Sequence, residues 1–294
     1  MAAIVGVHGI GKYRYYRDAG YSAVKAAEAL RAKWNRYLRA GLAGSPHAED
    51  DHIVEVAYYA HHLAARRPEV RAAHRAEARA ATAMDAEAQR VFVEWASQLD
   101  GIKDAVGESL TGALRWAVER LMERLDGRAA AFATLFCPEV AAYLESPNGA
   151  ARTAARRAVA DTLRRNQPCV VIAHSLGSVV AYEALHAEPD LRVDLLVTLG
   201  SPLGMRNVVF ERLLPAPLDG RGRRPPGVAR WVNIADAHDI AAIPPSLAAD
   251  FIGVDQESLV DLDWIDFHTA EKYLGTKELA SCLSPYLAKP APVR

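Results

Sequence analysis

The sequence predicts an α/β fold, a mainly parallel sheet flanked by helices and interrupted by one long helical insertion. Three observations lead there. Short β-rich runs alternate with helical patterns, the order expected of a parallel sheet wrapped by helices. A central stretch rich in Ala, Arg and Glu breaks that rhythm and carries almost no strand signal. The chain has 294 residues, 51% hydrophobic and 24% charged, enough to bury a full core in one α/β domain.

The expected elements run as follows. Ala2–Val7 reads as a strand, Ala19–Ala40 as a helix with Val24, Leu30, Trp34 and Leu38 inward, and His52–Ala60 as a second strand. Residues 62–147 form the helical insertion or cap. Within it Val91, Trp95 and Leu99 share one helix face, and Leu110, Leu114, Val118, Leu121 and Leu125 share another. The insertion reads equally as a lid over a pocket or as a packed hairpin that covers the sheet. Residues 1–61 and 148–294 then form the α/β core. Ala150–Asn166 is a helix, Pro168–Ala173 a strand, Ser178–His186 a helix and Arg192–Leu199 a strand. A Gly-, Pro- and Arg-rich loop follows from Gly200 to Gly227. Ala229–Ala235 reads as the last clear strand, and a helix lies near Ala270–Leu287.

Charge and composition narrow the chemistry. With 35 basic and 36 acidic residues the net charge is −1, which does not favour nucleic acid or an anionic membrane as partner. No apolar run reaches the roughly 18 residues needed to span a bilayer, and the start, MAAIVGV, reads as a strand rather than a leader. The expected location is cytoplasmic. Cys137, Cys169 and Cys282 have no regular spacing and read as reduced, buried thiols. No metal-ligand spacing is present and no cofactor is expected. The expected partner is a small-molecule acyl substrate, and nothing in the sequence sets an oligomeric state.

That substrate class comes from one segment. Cys169-Val-Val-Ile-Ala173 is an apolar strand that runs directly into His174-Ser175-Leu176-Gly177 and then a helical pattern. A serine on so sharp a strand-to-helix turn exposes its hydroxyl at a helix N-terminus, provided that the residues two before and two after it are small. Here those are Ala173 and Gly177. The alternative is that Ser175 simply caps the helix. Acyl transfer also needs two backbone donors for a tetrahedral oxyanion. Leu176 N–H should be one, and Ile10 N–H, in the turn His8-Gly9-Ile10-Gly11 after the first strand, the other. His8, Gly9, Gly11, His174 and Gly177 would support the two turns.

The same early stretch suggests a rival. Gly6 to Lys12 nearly matches the phosphate-binding pattern G-x-x-x-x-G-K-[ST], but Tyr13 stands where a metal-binding Ser or Thr belongs. For a Ser-acid-His order, the acid should follow the strand Trp231–Ala235. Asp239 is preferred because it is followed by a short apolar return to the core. Asp236 is the alternative acid and would otherwise organise the turn. His268 is the only histidine after Asp239 and is the expected base.

The stretches Val7-His-Gly-Ile-Gly11, Ala173-His-Ser-Leu-Gly177 and Asp239-Ile-Ala together resemble the α/β-hydrolase superfamily, and most closely its small bacterial lipases and esterases. Pro138-Glu-Val-Ala-Ala-Tyr-Leu144 also resembles a segment of actinobacterial serine hydrolases. The resemblance implies an α/β-hydrolase fold, Ser175, Asp239 and His268 as a triad, and Ile10 and Leu176 as oxyanion donors. The likeness to small lipases and esterases covers the sheet core but not the insertion. The expected reaction is cleavage of an acyl bond, foremost a carboxylic ester, through an acyl-serine. Amidase, peptidase or thioesterase-like acyl transfer or cyclisation on the same residues, and a non-catalytic interaction protein, are the alternatives.

Overall fold

A computed structural model describes residues 4–45, 47, 54–66, 84–99, 117, 127–262 and 268–287. The faces Leu110, Leu114, Val118, Leu121 and Leu125 expected of the insertion lie outside the described residues, as do His52 and His74.

The centre is a six-stranded, wholly parallel sheet in the order β2-β1-β3-β4-β6-β8. Its strands are β1 (Ile4–Val7), β2 (Val54–Ala57), β3 (Val170–His174), β4 (Val193–Leu199), β6 (Val228–Asp236) and β8 (Gln256–Val260). The pair β5 (Gly222–Arg223) and β7 (Phe251–Ile252) stands apart. β6 is therefore not the last strand. β8 adds a parallel edge, and its residues are mostly half-buried or exposed, as an edge strand permits.

Strands buried on both faces should be nearly continuous in apolar residues, and β1, β3 and β4 are. Alternate residues feed two separate cores. Val5, Val7, Val171, Ala173, Leu196 and Trp231 face α5 (Ala150–Asn166), α6 (Leu176–Ala187) and the insertion. Ile4, Ile172, Val197, Val232 and Ile234 face α2 (Ala23–Gly41) and the C-terminal helices α7 (Ala270–Leu274) and α8 (Lys277–Leu287).

The first helical stretch departs from expectation. A short α1 (Tyr13–Asp18) precedes α2, which begins only at Ala23, capped by the Ser22 hydroxyl. The buried face of α2 is Ala26, Leu30, Trp34 and Leu38, so Val24 is 70% exposed and not inward. Trp34 explains Gly6. A Cβ at residue 6 would lie 2.5 Å from the indole, so β1 and α2 can pack this closely only over glycine. The second strand is shorter than His52–Ala60. The Gly200–Gly227 loop contains single turns at Pro202–Gly204 and Phe210–Arg212, and the C-terminal helix is broken at Gly275–Thr276. Helix α6 begins at Leu176, immediately after the serine, rather than at Ser178.

The described part of the insertion contains helices α3 (Ala86–Leu99) and α4 (Gly127–Leu144), which pack on each other through Phe92, Trp95, Phe132 and Phe136. Trp95 and Val91 are buried as their shared face requires, and Leu99 packs at the margin of the same core. A buried polar cluster joins α4, α5 and α6. Arg152 pairs with Glu183, whose carboxylate also accepts the Tyr143 hydroxyl at 2.7 Å and the Leu214 N–H at 3.1 Å. With its lone pairs occupied, that carboxylate can be held out of water. No described helix is long and apolar enough to cross a membrane. Cys137 and Cys282 are buried, whereas Cys169 is partly exposed, contrary to expectation.

Candidate active site

In a parallel α/β sheet, ligands bind beyond the C-terminal strand ends where strand order reverses. That reversal lies between β1 and β3 here, because the chain goes from β1 to β2 on one side and then to β3 on the other. The turn His8–Gly11 leaves β1 there, and Ser175 leaves β3.

Ser175 has φ 56° and ψ −135°, a conformation that non-glycine residues rarely adopt. Its amide donates to the Leu199 carbonyl at 2.9 Å, tying the turn to β4, and its carbonyl accepts the Ser178 N–H and hydroxyl at 2.9 and 2.6 Å. The hydroxyl of Ser178 also meets that of Ser201 at 2.7 Å. Close approach requires small neighbours. A Cβ at Gly177 would lie 2.4 Å from the His8 carbonyl oxygen, and one at Gly9 would lie 2.5 Å from the Ser175 Cβ.

The Ser175 side chain does not cap α6. Its Oγ is 2.7 Å from Nε2 of His268, and Nδ1 of His268 is 2.8 Å from Oδ2 of Asp239. Three residues separated by 93 and 29 positions thus form one hydrogen-bonded line. Ser175 is fully buried, and the His268 side chain is 7% exposed. His268 sits directly before Thr269, whose hydroxyl caps α7, so the start of that helix fixes the histidine loop.

The two aspartates have distinct surroundings. Asp239 Oδ1 accepts the Ala241 N–H at 2.9 Å, and Oδ2 accepts both His268 and the Tyr273 hydroxyl, the latter at 2.7 Å. Asp236 instead accepts two backbone amides, His238 N–H and Leu262 N–H, each at 2.7 Å. It organises its own turn and ties it to the segment leading to His268. Gly200, at φ 52°, lies under Asp239. A Cβ there would be 2.6 Å from Oδ2.

The β1 turn is clamped from both sides. Tyr59 stacks on the His8 ring at a centroid distance of 4.2 Å, donates its N–H to His8 Nε2 at 3.2 Å and donates its hydroxyl to the His8 carbonyl at 2.7 Å. His8 Nδ1 lies 2.8 Å from the Gly9 carbonyl, so the neutral tautomer with the proton on Nδ1 satisfies both ring nitrogens. Burial pushes the His8 pKa down to about 3, opposed in part by the Gly9 carbonyl. Gly11 N–H donates to both oxygens of Glu139 at 3.1 and 3.2 Å, so a buried carboxylate from α4 of the insertion holds the end of the turn. The Tyr58 hydroxyl donates to the Lys12 carbonyl at 2.9 Å. Ile10 is buried on this turn, and Leu176 is the first residue of α6, whose amide has no intrahelical acceptor by position.

The insertion touches the site twice more. The Trp95 indole N–H donates to the Ile240 carbonyl at 2.7 Å, just after Asp239, and the edge of one of the Phe132 and His268 rings meets the face of the other at 5.1 Å between centroids. His174 is buried with its ring 4.8 Å from that of His268, and neither of its nitrogens has a hydrogen-bond partner. Burial, reinforced by the charge of His268, holds its pKa well below the usual value.

Tyr273, Glu139, Tyr59 and Ser178 were not singled out by sequence. Ser178 lies three residues after Ser175 at the start of the helix, and Glu139 lies in the Pro138–Leu144 stretch, whereas Tyr273 and Tyr59 carry no sequence signal. Comparison with family models, curated proteins and solved structures finds no match to this chain.

Proposed function

We propose that this chain is a serine hydrolase of the α/β-hydrolase type that cleaves an acyl bond, foremost a carboxylic ester, through an acyl-serine. The observation that carries this reading is the single line of hydrogen bonds from Ser175 Oγ through His268 to Asp239. In that reading His268 Nε2 takes the hydroxyl proton as Oγ attacks the carbonyl carbon. The N–H groups of Ile10 and Leu176 receive the oxyanion. Collapse expels the leaving alkoxide, which takes the proton from His268, and water then repeats the steps in reverse to release the acid. Asp239 keeps the imidazole in the productive tautomer and stabilises its charged form.

The strained backbone at Ser175 supports this reading, because such conformations persist where the surroundings over-determine them, as at reactive turns. The rival phosphate-loop reading has less support. Gly6 and Val7 belong to β1, and the Gly11 amide faces a carboxylate. An ester is favoured because an alkoxide leaves with less assistance than an amine, and His268 is the general acid at hand.

A fluorophosphonate probe tests the proposal. Wild type should be labelled and Ser175→Ala should not. Absent labelling of wild type, or equal labelling of both, would reject a nucleophilic Ser175. A panel of ester, thioester and amide substrates then assigns the acyl bond.

A further inference from the structure

Tyr273 has an arrangement that packing alone does not require. Its hydroxyl is fully buried beside the base and has two partners. It accepts the Asp236 N–H at 2.9 Å, and it donates to Asp239 Oδ2 at 2.7 Å. Because an amide can only donate, the single phenolic proton is committed to Asp239. It goes to the same oxygen that faces His268 Nδ1. Tyr273 lies on α7, five residues after His268, so one short segment delivers both groups to the acid. Burial, with the Asp239 charge adding to it, pushes the phenol pKa far up, and the group remains a proton donor at every working pH.

We infer that Tyr273 is a positioning residue for the base, setting through Asp239 Oδ2 how strongly the carboxylate holds a charged His268. The inference rests on the serine-hydrolase reading. A hydrogen bond to a carboxylate withdraws negative charge from the oxygen that receives it. Tyr273 therefore weakens the hold of Asp239 on the imidazolium while fixing the carboxylate plane. The other titratable groups facing this pair among the described residues are Asp236, with His238 Nδ1 3.4 Å from it, and His174, 5.8 Å from the Tyr273 ring. His174 is held neutral by burial, so it adds no competing charge.

The test uses the rate of Ser175 labelling by a fluorophosphonate, in which Oγ bonds to phosphorus, fluoride leaves and His268 takes the hydroxyl proton. The second-order rate is followed from about pH 5 to about pH 9. Tyr273→Phe removes the donor, so the acidic limb should move up by about half a pH unit, with the plateau rate reduced about tenfold by looser placement. Site-specific replacement of Tyr273 by 3-fluorotyrosine makes a more acidic phenol and a stronger donor, so the limb should move down. Opposite shifts are the expected signature, which a packing role would not produce. If Tyr273→Phe does not fold, the downward shift in the fluorotyrosine protein decides. Limbs that coincide with wild type, or that move in the same direction, would overturn the inference while labelled wild type leaves the hydrolase reading intact. No labelling of wild type would instead remove the reading beneath it.

Discussion

Gly9 and Ser175 approach so closely that a Cβ on residue 9 would lie 2.5 Å from the serine Cβ and 2.9 Å from His174 Nδ1. Neither neighbour can retreat easily, since Ser175 is locked by Leu199 and Ser178 and His174 is buried. Gly9→Ala should therefore displace the β1 turn from the serine. We expect fluorophosphonate labelling to slow by at least about a hundredfold, since small misplacements of reacting groups cost that much. Circular dichroism should show the fold retained. An undiminished labelling rate would mean that the turn has no part in the reaction.

Asp239 and Asp236 predict different defects. Asp239→Asn should cut turnover per folded molecule by about a thousandfold or more, because the tautomer of His268 is no longer fixed. Asp236→Asn should lower unfolding free energy by about 1–3 kcal/mol, since two buried amides lose a charged acceptor. Turnover per folded molecule should suffer less there. Urea denaturation alongside ester hydrolysis separates the two, and a reversed pattern would move the acid to Asp236.

Glu139 predicts a role for the insertion in catalysis. Glu139→Ala leaves the Gly11 N–H without its acceptor and loosens the turn that carries Ile10. Turnover should fall about tenfold. Glu139→Gln keeps an acceptor oxygen and should recover most of it. Equal defects in both variants would point to the charge of Glu139 rather than its hold on Gly11.

Acid should destabilise the fold through His8. Its folded pKa is depressed to about 3 from an ordinary 6.5, so between these values the unfolded chain binds a proton that the native chain does not. Stability therefore rises with pH across this window and is lost as pH falls from 6.5 towards 3, by at most about 1.4 kcal/mol per unit. Protonation would also set an N–H against the Tyr59 amide. His8→Gln should flatten the curve, losing about 2 kcal/mol less than wild type between neutral pH and about pH 5 in urea titrations. Parallel curves would assign the acid sensitivity elsewhere, with His174 next in line.

The parts of the site legible in the sequence were those set by local geometry. The strand, small-residue spacing and helix around Ser175 lie within a few positions, and the turn after β1 carries its own glycines. His268 followed from order along the chain. Asp236 and Asp239 could be told apart only partly, since both sit at the end of the same strand, and what distinguishes them is Leu262 for one and His268 for the other. The partners of Glu139 and Tyr273 left no local mark because they lie 128 and 34 residues away. Val24 lies off the buried face because it stands six residues before Leu30, well round the helix from it, whereas Ala26 stands one turn before Leu30 and takes the inward place. β8 is not legible in the sequence because an edge strand reading Gln-Glu-Ser-Leu-Val lacks the apolar run of its buried neighbours.

The bonds from Trp95 to Ile240 and from Glu139 to Gly11 bear on how this chain could be re-engineered. An interchangeable cap would meet the core only at its two hinges. This one is stitched into the loops after β1 and β6, so excising residues 67–145 would remove both stitches with it. A shorter chain or a chimaera that keeps the sheet should cut inside the insertion and retain α3 and α4, treating them as part of the chassis that holds the candidate site rather than its cover.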